Sequence, residues 1–288
     1  MARNEQVMLA MAGDETKLDE MIASGNWQFE VKFDGERGKL CKSGNKIELI
    51  NRRGKDIGSQ FPELIEMAKS LPDGVFDGEI YVPANEADKD KPTTGGRTNV
   101  NPKDALILSK IKPAVFKCWD VLKWEDHYVV DKTYEERKEL LGRVDSLHIT
   151  GFDGVFPEED PRKAWDEIVA GGNEGMVAKR VGSSYQFTRS SDWVKLKTWQ
   201  ENDFEVIGFT SDKREISALI VKGGLKVNCS LNAEQYGKLL GELIKGEEAI
   251  KCQDGTIGTA IKNHYTAKIK YLSKTDTGLR FPILRELS

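Results

Sequence analysis

The last third of the chain is a series of short β-type runs, and this limits its fold more than any other feature of the sequence. Apolar residues alternate with polar ones and are separated by turns rich in Gly, Asn and Asp, with one helical segment among them. Five strands and one helix in about 85 residues are typical of a small Greek-key barrel of the OB type. The predicted strands cover residues 204–210, 216–221, 225–230, 256–261 and 265–271, and the helix covers 233–244.

The first two thirds of the chain mix helical and strand patterns, which predicts an α+β fold. Composition changes after Lys197, and we place a boundary near Glu201, which divides the chain into domains at 1–200 and 201–288. Residues 84–102 are polar and are predicted to form a mobile loop. The predicted helices cover 18–24, 61–71, 134–144 and 161–170, and the predicted strands cover 27–33, 39–41, 46–50, 75–82, 114–122, 175–180 and 193–199.

The composition is that of a soluble globular protein, with 39% hydrophobic and 31% charged residues. No apolar run approaches the roughly 18 residues that a membrane span needs. The start of the chain lacks a signal-peptide pattern, so we expect a cytoplasmic protein. The four cysteines show no zinc-type pairing and there are only three histidines, which argues against a structural zinc.

A net charge of −4 does not by itself indicate a nucleic-acid-binding protein. What matters is where the charges lie, and the last third of the chain has a local excess of basic residues. Binding to DNA would therefore be local and strongly dependent on salt. The basic residues are Lys262, Lys268, Lys270, Lys274, Arg280 and Arg285.

Five short segments place charged residues on or beside apolar strands, where a solvated surface would be an unusual explanation. A single Lys-x-Asp-Gly is weak evidence, because a lysine before a glycine turn is common on protein surfaces. The occurrence of all five in this order is far more specific. The segments are Lys32-Phe33-Asp34-Gly35-Glu36-Arg37, Phe76-Asp77-Gly78-Glu79-Ile80, Phe116-Lys117-Cys118-Trp119-Asp120, Glu174-Gly175-Met176-Val177-Ala178-Lys179 and Trp193-Val194-Lys195-Leu196-Lys197.

Together these segments resemble the nucleotidyltransferase motifs of the covalent ligase and capping-enzyme superfamily, and specifically those of minimal, phage-like ATP-dependent DNA ligases. The resemblance covers the whole chain. It implies a nucleotidyltransferase domain of antiparallel sheets with flanking helices, similar to the ATP-grasp fold, followed by the OB-fold barrel. It also implies ATP and Mg²⁺ (or Mn²⁺) as cofactors, nicked double-stranded DNA as the partner, and a monomer that has no membrane association.

By this resemblance, Lys32 is the nucleophile that becomes covalently linked to AMP. A lysine amine attacks only when it is neutral, and positive charges nearby favour that form. Lys195 and Lys197 are expected to supply that field and to neutralise the α-phosphate oxygens. The role of Asp34 stays open between assisting Lys32 and capping the turn.

The remaining nucleotide contacts also follow from the resemblance. Glu30 would accept a hydrogen bond from the adenine amino group, and Trp119 would stack on the adenine ring, where the family often has Phe or Tyr. Arg37 and Glu79 would contact the ribose. Glu174, together with Glu79, would hold the divalent ion.

Other basic residues are assigned to phosphates. The resemblance assigns the 5′-phosphate of the nick to Arg52 or Arg53, with the register between the two left open. Arg97 and Asn99 are candidate DNA contacts. The candidates for nucleotide or DNA phosphates are Lys179 and Arg180, and those for the ATP pyrophosphate are Arg280 and Arg285.

Two other classes of protein remain as alternatives. RNA ligases and GTP-using capping enzymes share the Lys-x-Asp-Gly core, although the Trp-x-Lys-x-Lys form of the fifth segment favours a DNA ligase. A degenerate fold that binds DNA ends without chemistry is the non-enzymatic alternative. An NAD⁺-dependent ligase is disfavoured, because neither a nicotinamide-binding segment nor zinc cysteines are seen.

Overall fold

The computed structural model describes residues 6–83, 97, 99–212, 215–245, 249–274 and 278–288. The chain divides into two compact units, Met1–Lys197 and Thr198–Ser288. Most of the predicted loop at 84–102 lies outside the described residues. No helix in the described part of the chain is long and apolar enough to cross a membrane.

The first unit is built from two sheets with helices packed on them. Its strands are β1 (Leu9–Ala12), β2 (Trp27–Val31), β3 (Glu36–Ser43), β4 (Lys46–Asn51), β5 (Gly74–Tyr81), β6 (Val115–Trp124), β7 (His127–Tyr128), β8 (Phe152–Gly154), β9 (Gly175–Arg180) and β10 (Arg189–Lys197). Its helices are α1 (Leu18–Ala23), α2 (Pro62–Ala68), α3 (Pro102–Ile111), α4 (Tyr134–Asp145) and α5 (Pro161–Ala170).

Among the described residues of this unit, one sheet has the order β1-β10-β9-β2 and the other has the order β4-β3-β5-β6-β7, with β8 beside β6. Neighbouring strands are antiparallel except for β1 with β10 and β8 with β6. The prediction of an α+β fold with antiparallel sheets and flanking helices is confirmed.

The start of α4 is fixed by its own sequence. The Thr133 side chain accepts a hydrogen bond from the Glu136 backbone N–H, and the Glu136 side chain accepts one from the Thr133 N–H. This reciprocal cap satisfies backbone donors that the first turn of a helix leaves unpaired. α4 is therefore held in a defined register, which decides which of its side chains face the sheets.

Because side chains alternate along its strands, the first sheet packs one face into a hydrophobic core and presents the other face to the functional site. Successive residues of a strand point to opposite faces. On β2, Phe29 packs with α1 and α5, and Glu30 points the other way. On β10, Leu196 packs in the same core, whereas Lys195 and Lys197 face the opposite side.

The second unit consists of a curled antiparallel sheet, as expected for an OB-like fold. In the described residues the order is β13-β12-β11-β15-β14, with β18 beside β15 and a separate β16-β17 pair. The elements are β11 (Gln200–Asp212), β12 (Glu215–Val221), β13 (Leu225–Val227), α6 (Ala233–Lys245), β14 (Ala249–Lys251), β15 (Ile257–Tyr271), β16 (Ser273–Lys274), β17 (Leu279–Arg280) and β18 (Ile283–Leu287).

One feature of the predicted barrel is wrong. The separate strands predicted at 256–261 and 265–271 are a single strand, β15. On its partner β11, Val206 pairs with Tyr265 and Gly208 with Ala260, so a bulge in β15 takes up the polar residues between them. Those polar residues resemble a turn in the sequence, but the neighbouring strand continues past them and keeps β15 in the sheet.

A candidate nucleotide-binding site

A cavity of about 550 Å³ opens in the first unit, and residues from both of its sheets line it. This is the size of a small-molecule site. Most of the residues predicted to bind nucleotide lie on its wall. The lining residues are Leu9, Ala10, Glu30, Val31, Lys32, Phe33, Gly35, Glu36, Arg37, Arg52, Glu79, Trp119, Glu174, Val177, Lys179, Arg189, Trp193, Lys195 and Lys197.

Lys32 lies immediately after β2, and its backbone N–H donates to the Gly175 carbonyl at 2.9 Å. Its ammonium is 2.5 Å from Oε2 of Glu174, and the Lys197 ammonium is 2.9 Å from Oε1 of the same carboxylate. One carboxylate thus fixes two of the three predicted catalytic lysines. Gly175 permits this approach, because its φ is +139° and a Cβ there would lie 2.0 Å from the Leu196 carbonyl oxygen.

Lys195 stands in a field of positive charge. Partial burial, and then the charges of Lys197, Arg189 and Lys32, lower the pKa of its ammonium below the ordinary value. A cluster of cations around one cavity is suited to bind polyphosphate. Arg189 was not among the predicted site residues, although it begins the strand that carries Lys195 and Lys197.

Glu79 faces the cavity from β5 and accepts a hydrogen bond from the Gly35 N–H at 3.0 Å. A Cβ at Gly35 would lie 2.2 Å from the Ile80 carbonyl oxygen, so only glycine allows this contact. Burial raises the pKa of the Glu79 carboxyl to about 7, and the charges of Lys32 and Arg37 offset only part of that effect.

This raised pKa predicts a pH dependence of folding stability. The unfolded chain loses the Glu79 proton near its ordinary pKa of 4.5, but the folded chain keeps it up to about 7. Stability therefore falls as pH rises through that window. Glu79→Gln removes this effect. The free energy of unfolding of the variant, relative to that of the unaltered protein, should therefore rise by about 1–3 kcal/mol from pH 5 to pH 8.

Urea unfolding at both pH values, with a chelator and without nucleotide, measures this difference. Glu66→Gln is the matched control, because the Glu66 side chain is exposed. An equal change of stability with pH in Glu79→Gln and the unaltered protein would contradict the assigned cause.

Arg37 lines the cavity, but its guanidinium binds other groups of the protein. Nε and Nη2 donate to the two oxygens of buried Asp77 at 2.9 and 2.5 Å, and Nη1 donates to the Met8 carbonyl at 2.6 Å. Tyr185 also donates to Asp77, at 2.9 Å. In this structure the guanidinium is thus bound to Asp77 and to the Met8 carbonyl, and the predicted ribose contact by Arg37 stays a prediction.

Glu30 lies on the cavity wall, where three groups already donate to it. Tyr134 and Lys138 bind Oε1 at 2.6 and 2.5 Å, and Lys179 binds Oε2 at 2.7 Å. Burial lowers the pKa of the Lys179 ammonium to about 8, and the charge of Glu30 opposes that shift. Lys179 is only 1% exposed. In this structure Lys179 is an ion-pair partner of Glu30, and its predicted role at a phosphate stays a prediction.

Trp119 also lies on the cavity wall, which is compatible with the predicted stacking role. The Arg37 guanidinium lies 5.2 Å from the centre of its ring and 5.8 Å from that of Trp193. The Trp119 carbonyl accepts from Lys138 at 2.8 Å. The Trp119 ring thus packs against one cation, and the Trp119 backbone carbonyl accepts a hydrogen bond from another.

Arg52 and Arg53, the two candidates for the 5′-phosphate, differ in their position relative to the cavity. Arg52 lines the cavity, whereas Arg53 is not one of its lining residues. Both follow β4, in a turn where the Asn51 side chain accepts from the Arg53 N–H at 3.0 Å. This geometry favours Arg52 for the 5′-phosphate.

Arg97 is buried and paired within the protein, and its predicted DNA contact stays a prediction. Its side chain is 1% exposed, and its guanidinium binds both oxygens of Glu63 at 2.6 and 3.0 Å and the Gln60 carbonyl at 2.9 Å. A buried and paired arginine cannot reach a DNA phosphate without leaving these partners. The neighbouring Asn99 donates its N–H to the Gln60 side chain at 3.1 Å, and a DNA contact by Asn99 stays a prediction.

The two C-terminal arginines lie in the second unit. Arg280 is on β17 with its guanidinium 5.6 Å from the Phe281 ring centre. Arg285 is on β18 and its Nε is 3.8 Å from a Glu201 carboxylate oxygen. Their predicted contact with pyrophosphate stays a prediction.

A lysine held by a carboxylate within a cationic cavity is compatible with nucleotidyltransferase chemistry, and comparison with known proteins identifies the family. The sequence profile of the family described as "ATP dependent DNA ligase domain" matches residues 7–197. The chain belongs to the ATP-dependent DNA ligase family. The relatives found are DNA ligases, which does not favour the RNA ligase or capping-enzyme alternatives.

Three relatives illustrate the similarity. DNA ligase C1 of Mycolicibacterium smegmatis is 28% identical over 81% of this chain and 71% of its own length. The SPbeta prophage-derived DNA ligase-like protein LigB of Bacillus subtilis is 30% identical over 70% of this chain and 72% of its length. The multifunctional non-homologous end joining protein LigD of Pseudomonas aeruginosa is 28% identical over 73% of this chain, which spans only 25% of that protein.

Solved structures show the same fold. Mycobacterial DNA ligase D complexed with ATP and MES aligns with a TM-score of 0.59 and 23% identity, over 100% of this chain and 96% of that one. A Lig E DNA ligase, described as a minimal scaffold for DNA binding, aligns with a TM-score of 0.65 and 14% identity, over 98% and 99% of the two chains.

Proposed function

We propose that this protein seals nicks between a 5′-phosphate and a 3′-hydroxyl in duplex DNA, using ATP and a covalent Lys32–AMP intermediate. The observation that carries the proposal is the position of the Lys32 amine, which lies in the cavity 2.5 Å from Glu174 and beside Lys197 and Lys195. Family membership supplies the reaction class, and this geometry supports Lys32 as the nucleophile.

In the first step the neutral Lys32 amine attacks the α-phosphorus of ATP, a nitrogen–phosphorus bond forms, and pyrophosphate leaves with the electrons of the broken phosphoanhydride bond. The Lys32 proton must go first, and Glu174 Oε2 is within reach to accept it. Phosphoryl transfer needs mainly positioning and charge neutralisation. Lys195, Lys197 and Arg189 supply the positive charge on this wall.

Two carboxylates fit a divalent ion in this cavity. Glu79 and Glu174 both line it, and Mg²⁺ is usually held by one or two carboxylates together with substrate phosphates and water. A bound Mg²⁺ or Mn²⁺ would add charge neutralisation at the phosphates. The residues proposed to hold it are therefore Glu79 and Glu174.

In the later steps AMP passes from Lys32 to the 5′-phosphate at the nick, and the 3′-hydroxyl then attacks that phosphate and releases AMP. Arg52, on the cavity wall, is proposed to bind the 5′-phosphate. Arg280 and Arg285 are proposed to orient pyrophosphate during the first step. We further propose that the enzyme acts as a monomer in the cytoplasm.

Label transfer separates this function from its rivals. The protein is incubated with α-labelled ATP or GTP, and we expect covalent label from ATP only. The labelled protein is then given nicked DNA or nicked RNA, and we expect the DNA nick to be closed. Label from GTP would indicate a capping enzyme, closure of RNA alone an RNA ligase, and absence of any label a DNA-end-binding protein without chemistry.

A further inference from the structure

Helix α4 (Tyr134–Asp145) lies outside the cavity, yet it contacts two of the groups assigned to the adenine base. Tyr134 and Lys138 are one helical turn apart, so they share one face of the helix. Both are buried, at 1% and 9% exposure. Neither belongs to the five sequence segments, and neither has a role in the proposed phosphoryl transfer.

The ammonium of Lys138 has three N–H groups and three acceptors around it. It lies 2.5 Å from Glu30 Oε1, 2.8 Å from the Trp119 carbonyl and 2.6 Å from the Val155 carbonyl. A lysine ammonium can donate three hydrogen bonds, so its capacity is filled. Lys138 therefore links the predicted base-reading carboxylate directly to the backbone of the predicted stacking residue.

Glu30 is oriented by these contacts. Oε1 accepts from Tyr134 at 2.6 Å and from Lys138, whereas Oε2 accepts from Lys179 alone among the described residues. A carboxylate offers about four acceptor positions, which leaves one on Oε2. Because Glu30 lines the cavity, this position can accept a hydrogen bond from a ligand.

An open carboxylate position selects between purines. Adenine carries a 6-amino group, which donates, whereas guanine carries a 6-oxo group, which only accepts and would be repelled. A site that is built to hydrogen-bond one group of its substrate discriminates strongly against an analogue that lacks it. That discrimination requires Oε2, rather than Oε1, to face the base.

We propose that Lys138 and Tyr134 are positioning residues for base selection, which hold Glu30 and Trp119 in the orientation that favours adenine over guanine in the first step. This rests on the proposed function. Neither residue touches the nucleotide. Each acts through Glu30, and Lys138 acts through the Trp119 backbone as well.

The test measures self-labelling kinetics of Lys138→Met and Tyr134→Phe with three nucleotides: ATP, GTP and purine riboside triphosphate, which lacks the 6-amino group. Met keeps the length of the lysine stem, and Phe removes only a hydroxyl. In the unaltered protein, loss of the 6-amino group should lower kcat/KM by about tenfold or more. In both variants that penalty should shrink to about threefold or less, because Glu30 is no longer held.

A merely structural role would lower the rate at saturating ATP as well, whereas a positioning role changes mainly the KM. We expect the KM for ATP to rise in both variants while the rate at saturating ATP stays within about threefold, since Lys32 and its neighbours are untouched. Lys138→Arg, which keeps the charge and several donors, should restore part of the ATP preference. Lys163→Met, an exposed lysine on α5, is the matched control and should behave as the unaltered protein.

If both variants keep the full penalty for loss of the 6-amino group, the inference is wrong. If Lys138→Met does not fold, Tyr134→Phe alone decides the question, because its only change is one buried hydroxyl. Absence of ATP labelling in the unaltered protein would instead overturn the proposed function and the inference with it. That result appears before any variant is compared, so the two failures are distinguishable.

Discussion

Lys32→Ala is expected to abolish covalent labelling by ATP. Alanine has no nucleophile, and no bond to the α-phosphorus can form at this position. Loss of a nucleophile that acts in concert with its neighbours usually costs a factor on the order of 10⁴ or more. The measurement is transfer of labelled AMP from α-labelled ATP to the protein, followed by gel separation under denaturing conditions.

A second substrate separates loss of chemistry from loss of folding. Nicked DNA that already carries AMP on its 5′-phosphate does not need Lys32 as a nucleophile, so Lys32→Ala should still close it. Lys163→Ala is the control for labelling, because its side chain is 72% exposed and lies on α5. Persistent labelling of Lys32→Ala would show that another residue is the nucleophile.

Asp77→Ala is expected to lower the free energy of unfolding by about 3–5 kcal/mol, because it leaves the Arg37 charge without its carboxylate partner. Asp77 is fully buried and binds Arg37 through both oxygens. Its loss also removes the acceptor of the Tyr185 hydroxyl. Self-labelling should fall as well, since the Arg37 guanidinium packs against the rings of Trp119 and Trp193.

Urea unfolding followed by tryptophan fluorescence measures the change. The matched control is Asp166→Ala, which removes an exposed partner of Arg162 at 3.2 Å and should cost no more than about 1 kcal/mol. An equal loss in Asp77→Ala and Asp166→Ala would mean that the buried pair contributes nothing beyond a surface one.

Much of the fold follows from local patterns in the sequence. Period-two alternation on β2 and β10 separates core residues such as Phe29 and Leu196 from the polar residues Glu30, Lys195 and Lys197. Helix ends are equally local, as the reciprocal cap at Thr133 shows. The bulge in β15 could not be predicted, because its cause is the neighbouring strand β11.

Most of the candidate site could also be predicted, because its residues lie in short segments that are recognisable in the sequence. Lys32, Glu79, Glu174, Lys195 and Lys197 lie in the recognised segments, and the structure brings all of them to one cavity. Their chemical roles remain predictions. Arg189 was missed, because an arginine at the start of a strand has no distinctive spacing.

The sequence by itself determined which strands carry the functional side chains and to which family the chain is similar. Only the tertiary structure decided which of those side chains are free to meet a ligand. Arg97 binds Glu63, and Lys138 binds Glu30, which lies 108 positions earlier in the chain. Whether a charged residue reaches solvent or pairs within the protein depends on partners brought together by folding, and local sequence carries no record of such distant contacts.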